Sequence, residues 1–167
     1  MHSLADLAEG NSATVIVFAC NHCPFVIHLA DAVARFAGDY AARGVGVIAI
    51  NSNDVANYPD DAPDKMLAFA HQHGWGFPYL YDESQEVAHA YGAACTPDFY
   101  LFNKDMALAY AGQFDSTRPG GAGEVDGGDL RRAVDHVLAT GEAVEKPWRA
   151  SSGCNIKWKA GNAPAYF

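Results

Sequence analysis

The 167-residue chain predicts a mixed α/β fold, on three observations. Strand-like and helix-like segments alternate from residue 14 onward, the mark of βαβ crossovers with helices covering a sheet. Half of the residues are hydrophobic, enough to pack one core at this length. A late hairpin, residues 98–102 and 107–111 around Asn103-Lys104-Asp105, adds antiparallel strands and makes the sheet mixed.

The elements follow in order. Residues 14–20 are apolar and β-branched and read as a strand. Phe25, Leu29, Ala32, Val33 and Phe36 recur at helical spacing, which predicts a helix over 25–42 that Gly44 stops. Residues 44–50 form a continuous apolar run, as in a central strand buried on both faces. After a polar loop over 51–61, Pro63 suits the first turn of a helix reaching about Gly74. Residues 77–81 read as a short strand, and residues 84–91 as a helix with Ser84 as N-cap. Residues 112–128 form a long Gly-rich loop of the kind that is functional or mobile. A last helix spans 129–140. Residues 141–167 lack periodicity but keep Trp148, Ile156, Trp158, Tyr166 and Phe167, which predicts a tail docked on the core. The expected organisation is one domain over 1–167, with a core of about 14–140, a C-terminal extension over 141–167 and no internal repeat.

A formal charge of −9 and the lack of a basic stripe argue against nucleic acid or an anionic membrane as partner. No run of about 18–20 apolar residues is present, which excludes a spanning helix. Residues 1–11 carry Asp6 and Glu9 and lack the basic head and apolar core of a signal peptide, so the chain reads as cytoplasmic. Four cysteines are too few for a disulfide scaffold. In a reducing compartment a CxxC is more often catalytic or metal-binding.

That CxxC is Cys20-Asn21-His22-Cys23, where the first strand turns into a helix. Backbone N–H groups at a helix start lack intrahelical partners and the dipole adds partial positive charge, so a thiolate is favoured there. Cys20 is the expected nucleophile. Cys23, three residues on and on the same face, is the expected resolving thiol. Cys95 and Cys154 are additional candidate redox thiols; each also reads as an inert thiol, Cys95 as a small buried hydrophobe. No second CxxC completes a tetrahedral zinc site, so no metal is expected; if one bound, Cys20, His22 and Cys23 with Cys95 or Cys154 are its ligands. Asp54, Asp60, Asp61 and Asp64 lack EF-hand spacing and read as a solvated cluster capping the helix after Pro63. Gly120-Gly121-Ala122-Gly123 has no following Lys-Ser/Thr and is no phosphate loop.

The order strand, CxxC, βαβ, Thr-Pro and hairpin, last helix resembles the thioredoxin fold. Two segments carry the resemblance: Cys20-Asn21-His22-Cys23, and residues 91–97 ending Cys95-Thr96-Pro97, which look like the cis-proline loop facing the CxxC. The blocks 18–25, 51–54, 58–59, 77–83, 95–102 and 153–159 are similar to peroxiredoxin-like redoxins of the alkyl-hydroperoxide-reductase/thiol-specific-antioxidant family. The resemblance implies a thioredoxin-like fold with a mixed central sheet flanked by helices. It implies a cis Thr96–Pro97 bond whose free backbone pairs with an extended substrate, making Thr96 and Pro97 the substrate-contact residues. It implies that His22 tunes the dithiol, holding Cys20 as thiolate and making its disulfide more oxidising. The chain departs from thioredoxin in Ala19 and Asn21-His22, and from peroxiredoxins in having Cys20 where they carry Thr, although Cys23-Pro24 is retained.

The expected function is thiol–disulfide exchange through the CxxC dithiol. The expected partners are a disulfide-bearing protein or a small thiol or peroxide, with a separate thiol as electron donor and no organic cofactor. The alternatives are a thiol peroxidase of peroxiredoxin type, a copper or zinc carrier, and a non-catalytic interaction module on the same fold.

Overall fold

Ala13–Phe18 (β1) is buried at every position, which requires a neighbour on each side and a layer on each face. A computed structural model describing residues 2–166 supplies all four. Met1 and Phe167, the latter grouped above with the tail aromatics, lie outside the described residues. Val45–Asn51 (β2) pairs parallel with β1 on one side, Ala13 opposite Val45 through Phe18 opposite Ile50. Asp98–Asn103 (β5) pairs antiparallel on the other, Phe18 opposite Asp98. Tyr79–Tyr81 (β3) extends the sheet beyond β2, and Leu108–Gly112 (β6) beyond β5, giving the order β3-β2-β1-β5-β6. The mixed sheet expected from the late hairpin is present.

Alternation along β1 divides the core between the two faces. Val15 and Val17 join the larger cluster under Pro24–Ala41 (α2), Pro63–His73 (α3) and Gly128–Thr140 (α5), which contribute Val33, Phe36, Phe69, Leu130 and Val134. Ile16 and Phe18 face the other way, toward Ala88 of Glu86–Tyr91 (α4), Ile156 of the tail and Leu4 and Leu7 of a short N-terminal helix, Leu4–Ala8 (α1). Phe36 is fully buried between Tyr40 and Phe114, with ring centroids 4.7 and 6.0 Å away. Phe36→Ala is expected to cost about 3–5 kcal/mol in urea denaturation, mostly as cavity.

Two local expectations are corrected, and the expected docking of the tail is given its form. The helix expected from Ser84 starts at Glu86, because Gln85 takes a left-handed conformation (φ 66°) and turns its side chain inward. Asp82, not Ser84, accepts the orphan amide of Ala88, at 3.0 Å. The acidic cluster is not wholly solvated. Asp60 and Asp64 are exposed, but Asp54 and Asp61 are buried, and α3 starts from Ala62 with no side-chain cap. The tail docks as a strand. Cys154–Asn155 (β7) pairs antiparallel with Cys95–Thr96 (β4), Thr96 opposite Cys154 and Cys95 opposite Asn155. Among the described residues no helix is long and apolar enough to cross a membrane.

Candidate active site

Cys20 and Cys23 follow the C-terminal end of β1, the central strand, and α2 begins immediately after them. The helix starts at Pro24, so Cys23 and not Cys20 is its N-cap. The Cys23 pKa is lowered to about 4, most strongly by its hydrogen bond with Cys20. Cys20 is pushed up instead: it donates to Cys23, is buried, and sits near the Asp61 carboxylate. The structure thus places Cys23, rather than the expected nucleophile Cys20, at the helix N-cap. Pro24 was the signal, since proline at the first helical position marks the residue before it as the cap.

Across from the dithiol, the Thr96–Pro97 bond is cis. The Thr96 carbonyl lies 3.2 Å from Cys23 Sγ, where it accepts from the thiol form, and Thr96 Oγ1 lies 3.5 Å from Cys20 Sγ. The edge expected to meet a substrate strand is taken by the chain's own β7. Cys154 Sγ stands 2.9 Å from Cys23 Sγ. Burial and the hydrogen bond to Cys23 push the Cys154 thiol up to about 11. Cys95 is one residue from Thr96 and therefore points to the opposite side of the short strand. Its sulfur lies 3.9 Å from the Pro97 carbonyl, and burial pushes it up to about 12. The structure brings Cys20, Cys23, Cys154 and Thr96 together and leaves Cys95 outside.

His22 brings a ring nitrogen within 4.8 Å of the Cys20 sulfur while turning toward Asp61. Its Nδ1 approaches Asp61 Oδ2 at 2.8 Å and its ring stacks on Tyr58, 5.9 Å away at 7°. Asp61, wholly buried, also accepts the Asn21 amide and the Asn53 side-chain amide, each at 2.8 Å. Tyr79 donates to Asn21 Oδ1 at 3.0 Å, which fixes the interior of the CxxC. Asp61 is the candidate site residue that sequence reasoning missed, because an acidic run between prolines carries no pattern that separates its one buried member.

The ligand atoms of Cys20, His22 and Asp61 lie within 4.8 Å of one another. As a metal set this is one short of a closed tetrahedral site, and its carboxylate already holds three polar neighbours.

A model described as the AhpC/TSA family matches residues 1–111. The chain is similar to a hypothetical protein from Sinorhizobium meliloti 1021, at 49% identity and a TM-score of 0.90, over 96% of this chain and 86% of that one. It is similar to an uncharacterized conserved protein from Geobacillus kaustophilus, at 50% identity and a TM-score of 0.88, over 93% and 82%. A secreted Mycobacterium tuberculosis disulfide oxidoreductase shares the fold at 20% identity and a TM-score of 0.58, over 79% and 85%. No curated protein matches.

Proposed function

Since this chain belongs to the AhpC/TSA family, with its thioredoxin-like fold, we propose that it is a thiol–disulfide oxidoreductase working through the Cys20–Cys23 dithiol. The observation that carries this reading is the pair of free thiols at the start of α2, Cys23 its N-cap, faced by the cis Thr96–Pro97 loop that contacts both sulfurs. Cys23 attacks one sulfur of a substrate disulfide, and the first substrate thiol leaves. The mixed disulfide no longer carries the negative charge that held the Cys20 proton in place. Cys20 then attacks Cys23 Sγ, the second substrate thiol leaves, and the dithiol is oxidised by two electrons. The Asp61–His22 pair is the group placed to take the Cys20 proton. A separate thiol donor returns the electrons, and no organic cofactor takes part.

The test is trapping. Incubated with glutathione disulfide, Cys20→Ser is expected to stop after the first attack and keep Cys23 in a disulfide, while the parent protein proceeds to Cys20–Cys23. A parent protein in which those two cysteines never pair at any glutathione potential sinks the reading.

A second reading, thiol peroxidase, is favoured by the low pKa of Cys23 directly before Pro24. Its mark is catalytic consumption of hydrogen peroxide through a Cys23 sulfenate.

A further inference from the structure

We propose that Cys154 is a third redox thiol, seated by the tail on the Thr96–Pro97 edge as an internal substrate strand and exchanging disulfide directly with Cys23. The inference rests on the dithiol-exchange reading and adds the route by which the dithiol meets the outside.

The first support is exposure. Cys20 is 1% exposed and Cys23 is fully buried, whereas Cys154 is only partly buried. Neither dithiol sulfur is open to a bulky disulfide while β7 is in place, and the thiol in contact with both Cys23 and the surface is Cys154.

The second is that the tail is built into this position. Ile156, 2% exposed, donates its amide to the Ala94 carbonyl at 3.1 Å. The Lys157 amide donates to Asn53 Oδ1 and its carbonyl accepts from the Asp54 amide, both at 2.8 Å. Buried Gln85 donates to the Lys157 carbonyl at 3.0 Å and accepts from the Lys159 amide at 2.9 Å.

The third is Gly153. A Cβ there would lie 1.9 Å from the Thr96 carbonyl oxygen, so only glycine lets the tail pass close enough to register Cys154 opposite Thr96.

The exchange balances without an outside reagent. Starting from the Cys20–Cys23 disulfide, Cys154 loses its proton and attacks Cys23 Sγ. The Cys20–Cys23 bond breaks, Cys23–Cys154 forms, and Cys20 leaves as a thiolate that takes up a proton. No electrons enter or leave. The surface-reachable Cys23–Cys154 disulfide then reacts with an external thiol, and the reverse path loads oxidising equivalents from an external disulfide.

Peptide mapping after equilibration in glutathione buffers tests this. Cys20→Ser is expected to hold Cys23 predominantly with Cys154 rather than with glutathione, because the intramolecular partner has the higher effective concentration. Adding Gly153→Ala to Cys20→Ser is expected to cut that pairing at least tenfold with the near-ultraviolet circular dichroism retained. Cys154→Ser is expected to keep the Cys20–Cys23 pairing but to exchange with glutathione disulfide at least tenfold more slowly. Glutathione alone on Cys23 in Cys20→Ser, or a parent-like exchange rate in Cys154→Ser, overturns the proposal. Loss of Cys20–Cys23 pairing in a folded Cys154→Ser would instead overturn the exchange reading beneath it.

Discussion

Replacing Cys23 by Ser is expected to abolish disulfide exchange and to remove the one thiol that ionises in the acid range. Titration by ultraviolet thiolate absorbance should show a single ionisation near pH 4 in the reduced protein. That step should be absent from Cys23→Ser and moved upward in Cys20→Ala, which deletes the strongest donor to the Cys23 sulfur. The redox consequence has a definite sign. Above the Cys23 pKa the reduced site binds one proton, on Cys20, and the oxidised site binds none. The midpoint potential should therefore fall by about 30 mV per pH unit between roughly pH 5 and 8, half the slope of a dithiol that is protonated on both sulfurs. A thiolate held so far below its ordinary range stabilises the reduced form, which places the potential above the roughly −270 mV of thioredoxin. A two-proton slope, or an ionisation that survives in Cys23→Ser, would refute the assignment of the thiolate.

Asp61→Ala should damage both stability and chemistry. It strands the Asn21 amide, the Asn53 side-chain amide and His22 Nδ1 in a buried site. A loss of about 3 kcal/mol in chemical denaturation is expected. Asp61→Asn keeps the shape and removes the charge, but its amide NH2 meets one of the donors that Asp61 accepts from, so its stability is measured beside its chemistry. Without the nearby carboxylate the Cys20 pKa comes down, yet the proton acceptor is lost. If Asp61 moves that proton, the lifetime of the Cys23 mixed disulfide should lengthen by on the order of 10²-fold, measured by stopped-flow release of a chromogenic thiol. A parent-like lifetime in a folded Asp61→Asn would leave the carboxylate a purely structural role.

The sheet was legible where a single physical rule governed it. The run at 44–50, apolar at successive positions, marks a strand covered on both faces, and β2 lies there between β1 and β3. The helical spacing of Leu29, Val33 and Phe36 marks the face that α2 turns to the core. Pro63 and Gly74 bracket α3 as first-turn and left-handed cap residues. The site was legible in its parts but not in its electrostatics. That Cys20 and Cys23 sit at a helix start is a local property; which of them is the cap depends on where within three residues the helix begins. Buried polar residues escape local reading altogether. Gln85, Asn53 and Asp61 look like surface residues in a polar stretch, and only the tail and the CxxC folding over them take them out of water. Cys154 lies 131 positions from the thiol it touches, a separation no spacing rule spans.

That separation also orders events in time. Strands β1, β2, β3, β5 and β6 pair over residues 13–112, and a nascent chain holds all of them before residues 153–159 are made. Closing the tail onto Asn53, Gln85 and Ala94 adds contacts of long range to an already formed sheet. The dithiol is therefore uncovered during the last stage of synthesis and covered once the tail docks. In the finished protein, the amides of Ile156, Lys157 and Lys159 should exchange with deuterium by a local opening that leaves the β1 and β5 amides protected, reporting the free energy that holds the site shut.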